Sequence, residues 1–140
     1  MEKYSEPCLL EFPKITDPRG NLSFAEGGRI LPFEIQRVYW TYDVPSWRER
    51  HGRALRTCAE VIIATSGQCV VTVDCGDGRD KSFTLNKSNV GLYLPPMTWR
   101  TITDFVTGTT CLTIASKFYD EADYISDYQQ FQSSLDDELR

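Results

Sequence analysis

The residues best suited to do chemistry in this 140-residue chain stand close together, between Arg48 and Glu60. His51 is the only histidine, and an unperturbed imidazole, with a pKa of about 6.5, exchanges protons near neutral pH. Arginines, whose planar forks match phosphate and carboxylate oxygens, surround it. They are Arg48, Arg50, Arg53 and Arg56. The cluster has two open interpretations, a solvated basic loop or a pocket for a phosphorylated ligand.

The spacing within this stretch follows a pattern known from small β-barrels. The first cupin motif reads His-x-His, four residues, Glu, six residues, Gly. Arg53, Leu55, Glu60 and Gly67 occupy those positions in this chain. Arginine and leucine therefore stand where a cupin has its two histidines.

A second cupin motif follows in the expected order, and it also lacks its histidine. It reads Pro-x-Gly, two residues, His, three residues, Asn. In Pro95–Arg100 the His position holds arginine, and Asp104 stands where Asn would be. Arginine has no acceptor lone pair and leucine has no polar atom, so Glu60 is the one remaining potential ligand. We therefore predict a site without metal.

Four side chains are candidates for proton transfer. His51 lies two residues before Arg53, so on an extended strand both face the same side; the alternative is a surface histidine where a loop meets a strand. Tyr39 and Tyr42 can donate protons or stack on a base or sugar, and the alternative for them is packing in an aromatic core. Trp40, between them, favours the core. Glu60 is the fourth candidate for proton transfer.

The elements that must position these residues are short β-branched and aromatic runs that end at turn residues. Such spacing without intervening amphipathic helices predicts an antiparallel all-β sandwich or barrel, and the two cupin motifs in order indicate a cupin jelly roll; we assign residues 1–140 to one domain. A single glycine, Gly67, separates two runs and predicts a tight hairpin. Tyr124, Tyr128 and Phe131 predict one C-terminal helix within Asp120–Leu139. The predicted strands are Cys8–Phe12, Asn21–Ala25, Ile35–Tyr42, Glu60–Ser66, Gln68–Asp74, Ser82–Leu85, Gly91–Leu94, Arg100–Val106 and Thr110–Ser116.

Composition narrows the class of partner. A net charge of −5 and a pI near 4.9 argue against nonspecific binding to nucleic acid or an anionic membrane. Five scattered cysteines without a C-x-x-C pair suit a reducing compartment. No secretory signal and no apolar run of about 18 residues is visible, so we predict a cytoplasmic protein.

Several longer segments carry a family resemblance, which extends from Asp17 to about Tyr128. They are Asp17–Phe24, Pro32–Tyr39, Tyr42–Pro45, Ile63–Gly67, Gly91–Trp99 and Tyr119–Ile125. Through them the chain resembles the dTDP-4-keto-6-deoxyglucose 3,4-ketoisomerases, the WxcM-like branch of the sugar-nucleotide cupins. The resemblance implies a cytoplasmic homodimer that acts on a dTDP-linked keto sugar, or another nucleotide sugar, for deoxysugars of surface glycans.

The resemblance also implies a reaction and the residues that perform it. The carbonyl moves between C4 and C3 without metal or other cofactor: a base takes the C3 proton, an enediol forms and a proton is delivered at C4. The family reads Arg-Gly-x-His-Ala-His-Lys where this chain has Arg50–Arg56, so its two catalytic histidines fall on Arg53 and Leu55. A two-residue slip would instead place His51 and Arg53 there. The side chains that we predict to bind ligand are Arg19, Arg37, Arg50, Arg53, Trp99 and Arg100.

Three functional hypotheses remain open at this point. The chain is a ketoisomerase that uses His51, a tyrosine or Glu60 in place of the missing pair. Alternatively it is a catalytically silent cupin that binds a nucleotide sugar or glycan. In the third hypothesis it acts on a different sugar nucleotide, with Arg53 and Arg100 binding a carboxylate or a second phosphate.

Overall fold

The structure, a computed structural model, describes residues 5–76 and 78–138, except for the side chain of His51. These residues form twelve strands, a short 3₁₀ turn at Glu121–Asp123 and one α-helix. The elements are β1 (Cys8–Glu11), β2 (Lys14–Asp17), β3 (Gly20–Ser23), β4 (Arg37–Tyr42), β5 (Arg50–Leu55), β6 (Glu60–Ser66), β7 (Cys69–Asp74), β8 (Asp80–Leu85), β9 (Val90–Leu94), β10 (Trp99–Thr103), β11 (Thr110–Ala115), β12 (Tyr124–Ile125) and α1 (Tyr128–Glu138).

Two five-stranded antiparallel sheets enclose the main core. The first has the order β1-β9-β6-β11-β4 and the second the order β12-β5-β10-β7-β8. Alternate residues of each strand point inward, so Ile62 and Leu92 of the first sheet share one apolar cluster with Val71 and Leu85 of the second. The all-β architecture with a C-terminal helix that the sequence predicts is confirmed.

The outer face of the first sheet is only partly covered. Leu31, from the segment before β4, packs there with Val61 and Tyr93. On β4 the outward residues Val38, Trp40 and Tyr42 remain 44%, 59% and 59% exposed. The prediction of Trp40 as a core residue is therefore wrong, because an aromatic pattern on a strand does not say which face of the sheet is covered.

The turns at Gly20 and Gly67 differ in what they connect, and the hairpin predicted at Gly67 is wrong. Asp17 pairs with Gly20 across the turn at Pro18 and Arg19, which makes β2 and β3 a separate two-stranded sheet. Gly67 does not close a hairpin, since β6 pairs with β9 and β11 whereas β7 pairs with β8 and β10. It turns the chain from one sheet to the other, at a φ of 77° and directly against Thr109, where a Cβ would collide.

The C-terminal segment is divided between a strand and a helix. Tyr124 begins β12, which pairs with β5, and α1 starts only at Tyr128. The prediction of Tyr124 as a helical residue is wrong, although α1 does pack on the barrel through Phe131, which contacts the cluster of Ala54, Met97 and Ile125. Among the described residues, no helix is long and apolar enough to cross a membrane.

Candidate functional site

A polar cavity of about 660 Å³ lies beside β5 and β10. The two strands pair antiparallel, with Arg100 opposite Arg53. Gly52 lets the indole of Trp99 lie directly against β5, because a Cβ at this position would overlap the ring. The cavity is lined by Glu49, Arg50, Gly52, Arg53, Trp99, Tyr124 and Ser126. Its wall therefore combines two guanidinium groups with aromatic surface, a combination that suits phosphate groups and flat rings.

A buried carboxylate, Glu60, organises the charged side chains next to this cavity. Glu60 on β6 is 0% exposed, and Nη1 of the equally buried Arg100 donates to its Oε1 at 2.5 Å. The Tyr39 hydroxyl donates to Oε2 at 2.6 Å. Nη2 of Arg37 lies 3.6 Å from the same oxygen. Glu60 thus binds a cation from the opposite sheet and a phenol from β4 at once.

Arg53 connects the cavity wall to this buried group. Its Nη2 donates to the Tyr39 hydroxyl oxygen at 2.8 Å, so a chain of hydrogen bonds runs from Arg53 through Tyr39 and Glu60 to Arg100. We refer to Arg37, Tyr39, Arg53, Glu60 and Arg100 as the Glu60 network. Because Arg53 both lines the cavity and belongs to this network, a ligand at the cavity wall can contact it directly.

The environment of Tyr39 favours its neutral form. Burial raises the pKa of its phenol, and the charge of Glu60 and the hydrogen bond to Glu60 raise it further, although Arg53 acts in the opposite direction. Tyr39 therefore carries its proton at neutral pH. It can accept a proton only if it passes its own to Glu60.

The two positions that correspond to cupin histidines have different surroundings. Arg53 reaches the cavity, whereas Leu55 is 1% exposed and packs with Cys58, Ala115 and Tyr124. Leu55 therefore places a hydrocarbon side chain at a position where a cupin has a histidine. β5 also contains His51, but its side chain lies outside the described part of the chain, so its proposed role stays a prediction.

Tyr124 is a site residue that the sequence did not suggest. Its hydroxyl accepts a hydrogen bond from Arg37 at 3.0 Å, and the guanidinium groups of Arg37 and Arg53 lie 6.0 Å and 5.6 Å from its ring centre. It also lines the cavity. The apparent helical spacing with Tyr128 and Phe131 hid this role, since a helix would have placed Tyr124 with packing residues.

The remaining predicted site residues are spread over the surface and the cavity rim. Arg50 and Trp99 line the cavity. Tyr42 lies on the outer face of β4, opposite to the side from which Tyr39 contacts Glu60, and the structure does not bring it to the cavity of the same chain. Arg19 is at the turn between β2 and β3, where its side chain is 91% exposed and bound to Asp17.

The donor set of the Glu60 network does not fit a metal ion. Glu60 is its single carboxylate, and both oxygens are already in contact with arginine or tyrosine. Guanidinium groups repel cations and have no lone pair to offer. Within residues 5–76 and 78–138, no group of three or more His, Cys, Asp or Glu residues could hold a metal.

Fold and site together define a class of protein: a jelly-roll barrel whose cavity is bordered by arginines, aromatic rings and a buried carboxylate. Comparison with known proteins gives the family. The sequence model of FdtA (WxcM-like, C-terminal) matches residues 5–136, and the chain belongs to this family. The resemblance to the WxcM-like cupins is thereby confirmed.

The characterised relatives share one type of activity. The chain is 35% identical over 130 residues, 93% of each sequence, to TDP-4-oxo-6-deoxy-alpha-D-glucose-3,4-oxoisomerase of Aneurinibacillus thermoaerophilus. It is 32% identical to the sugar 3,4-ketoisomerase QdtA of Thermoanaerobacterium thermosaccharolyticum in complex with TDP, with a TM-score of 0.91 over 96% of this chain and 98% of that one. The TDP-quinovose 3,4-ketoisomerase WlaRB of Campylobacter jejuni is 33% identical, with a TM-score of 0.88 over 93% and 99%.

Proposed function

We propose that this protein binds a nucleotide sugar, with a TDP-linked keto-deoxyhexose as the first candidate, and moves the sugar carbonyl between C4 and C3 in deoxysugar biosynthesis for surface glycans. The hydrogen-bond chain that runs from Arg53 in the cavity wall inward through Tyr39 to Glu60 carries this proposal. It is supported by the relatives, since a variant of QdtA was solved in complex with TDP-4-keto-6-deoxyglucose.

Proton transfer in this site would run through Tyr39. Its oxygen takes the proton from C3 while its own proton moves to Glu60 Oε2, which is 2.6 Å away, and the C3–H electron pair forms the C3–C4 double bond of an enediolate. Arg53 stabilises the negative charge that develops on the sugar oxygen. Reversal of the relay protonates C4, and the proton of the C3 hydroxyl passes to the negatively charged C4 oxygen, so that C3 becomes the carbonyl and C4 the alcohol.

The direct test is an assay by NMR, or by coupling to a 3-aminotransferase, on dTDP-4-keto-6-deoxyglucose. Tyr39→Phe should abolish turnover without loss of nucleotide binding, because the relay loses its hydroxyl but the ring remains. Val38→Ala, on the outward side of the same strand, is the matched control and should retain activity. Undetectable turnover of the unmodified protein at high enzyme concentration would contradict the enzymatic part of the proposal.

The family pair can also be restored. We expect that Arg53→His with Leu55→His creates or raises ketoisomerase activity, since imidazoles would then occupy both family positions on β5. The product sugar, identified by NMR, is the measurement. A folded double variant that binds dTDP but shows no activity would mean that more than the two histidines separates this chain from its active relatives.

A second candidate function is that of a catalytically silent nucleotide-sugar or glycan-binding cupin. The burial of Leu55 among apolar side chains favours it, because a hydrocarbon side chain replaces one of the two histidines that the family uses for proton transfer. A ligand at a hundred times its Kd should stabilise the protein by about 2.7 kcal/mol. Thermal stabilisation by dTDP-sugars without turnover would select this candidate, and absence of a shift with any nucleotide would count against both.

We further propose a homodimer in which a second copy covers Val38, Trp40 and Tyr42. These exposed apolar residues form a stripe on β4, an edge strand that pairs on one side only. Exposed apolar stripes on edge strands favour association. A cytoplasmic location and a single domain over residues 1–140 complete the proposal, and cell fractionation and limited proteolysis test them.

A further inference from the structure

The Glu60 network has an excess of positive charge. It brings three guanidinium groups, those of Arg37, Arg53 and Arg100, to one carboxylate, and its phenol is neutral. Arg100 is 1% exposed, and the side chain of Arg37 is 14% exposed. Two positive charges are thus left without a counter-charge inside the network. Burial of uncompensated charge is costly, so the site is suited to receive an anion.

The hydrogen bonding of the same arginines supports this conclusion. Nε of Arg53, Nη2 of Arg100 and Nε of Arg37 are buried and have no hydrogen-bond partner among the described residues. The other donors of Arg53 and Arg100 include those that already bind Tyr39 and Glu60. Each unsatisfied N–H is a free donor with the geometry that guanidinium groups use toward carboxylate oxygens.

The position of Arg53 indicates which part of a ligand would carry the anion. Arg50 and Glu49 are exposed at the rim of the cavity, whereas Arg53 continues into the buried network. A diphosphate, which is strongly hydrated, suits the rim with Arg50. The group that reaches Arg53 is then the sugar.

We propose that Arg53 makes this site selective for nucleotide sugars whose hexose carries a carboxylate, and that this carboxylate binds the free edge of the Arg53 guanidinium. The inference rests on the proposed nucleotide-sugar site but not on the keto-deoxyhexose as its occupant, since a 6-deoxyhexose has no carboxylate. A neutral sugar leaves both surplus charges uncompensated. A carboxylate neutralises one of them and accepts a hydrogen bond from Nε of Arg53, so this class of sugar gains an interaction that a neutral hexose lacks.

The experiment compares ligands that differ only at C6. Isothermal titration calorimetry is performed with UDP-glucuronate against UDP-glucose, and with dTDP-glucuronate against dTDP-glucose. We expect the carboxylate-bearing member of a pair to bind at least about tenfold more tightly, as charge-assisted pairing at a buried arginine predicts. Arg53→Gln should reduce this ratio to about one, whatever its effect on the affinity for the neutral sugar.

One further variant separates the charge of Arg53 from the planar shape of its guanidinium, and a second variant is a control. Arg53→Lys keeps the charge without the planar fork and should retain only part of the preference. Arg48→Gln is the control, because Arg48 is exposed and packs on Trp47 outside the cavity lining. This variant should bind the carboxylate-bearing sugars with the same preference as the unmodified protein.

The outcomes distinguish this inference from the proposed function. Equal affinity for the two members of a pair would overturn the inference and leave the nucleotide-sugar site intact. A preference that persists in Arg53→Gln would overturn the role of Arg53. No binding of any of the four ligands would overturn the proposed function itself, and with it this inference.

Discussion

Glu60 is the residue on which the charged part of the site depends. It accepts hydrogen bonds from Tyr39 and Arg100 and lies within ion-pair distance of Arg37. A buried carboxylate of this kind is costly to desolvate, and it is retained here by the cations that it holds. Its removal would leave Arg100 charged and buried without a counter-charge, with the carbonyl of Thr98 as its remaining hydrogen-bond acceptor among those described.

Glu60→Gln should therefore destabilise the protein strongly. We expect the free energy of unfolding, measured by urea denaturation, to fall by about 3–5 kcal/mol, the usual effect of breaking a buried ion pair. Glu11→Gln, at an exposed position on β1, is the matched control and should change it by less than about 0.5 kcal/mol. A loss below about 1 kcal/mol in Glu60→Gln would contradict the assignment of Glu60 as the organising charge.

Tyr39 should not contribute phenolate absorbance when the folded protein is titrated to alkaline pH. Its pKa is raised above the ordinary value near 10. Its neutral form therefore contributes stability that is fully present below about pH 10 and is lost as the pH rises through the folded-state pKa. Tyr39→Phe should leave the phenolate absorbance unchanged up to about pH 11 in the folded state. A loss of one tyrosine's absorbance below that pH would contradict the buried, carboxylate-bound phenol.

At the scale of elements, α1 supports the cavity from outside. Its Phe131 is 0% exposed and packs against Trp99, with ring centres 5.7 Å apart, and Trp99 forms part of the cavity wall. Tyr128 in the first turn of α1 donates a hydrogen bond to Asp74 at the end of β7. The helix thereby packs behind the indole that forms part of the cavity wall.

Phe131→Ala should loosen this support. We expect a loss of about 3–5 kcal/mol in the free energy of unfolding, as for other fully buried phenylalanines, together with a change in tryptophan fluorescence and weaker nucleotide binding. Ser133→Ala, at an exposed position on the same helix, should leave all three quantities unchanged. Unaltered binding in Phe131→Ala would show that Trp99 does not depend on α1.

Some of these elements could be predicted from the sequence and others could not. A continuous β-branched run predicted β6, whose bounds the structure reproduces as Glu60–Ser66, because a strand inside a sheet that is covered on both faces is apolar along its length. Gly67 was predicted to close a hairpin, yet it joins two sheets, since pairing partners depend on distant strands. Tyr124 has helical spacing but lies on a strand, because pairing with β5 overrides a weak local preference.

At the scale of the whole molecule, the spacing of Arg53, Glu60 and Arg100 in two motifs predicted that these residues would share one site. In the structure Glu60 contacts Arg100 and is connected to Arg53 through Tyr39, and their role as one functional site stays a prediction. The exposure of Trp40 could not be predicted in the same way. An amphipathic strand has an apolar face, but whether that face meets the core or another molecule is decided by the assembly.

Trp40→Glu should separate the proposed homodimer. A charge in the middle of the exposed stripe on β4 would have to be buried in the interface, so we expect sedimentation velocity to show a monomer at concentrations where the unmodified protein is dimeric. Leu9→Glu, which places the same charge on the opposite edge strand of the same sheet, is the control and should stay dimeric. A monomeric unmodified protein would contradict the proposed dimer.

The Glu60 network also joins the two sheets. Tyr39 and Glu60 belong to the first sheet, while Arg53 and Arg100 belong to the second. An anion that draws the Arg53 guanidinium away from Tyr39 would release one of these links. We therefore expect the amide hydrogens of β5 to exchange with deuterium at different rates when the bound sugar is charged and when it is neutral. Hydrogen exchange in β5 would then distinguish the two kinds of ligand.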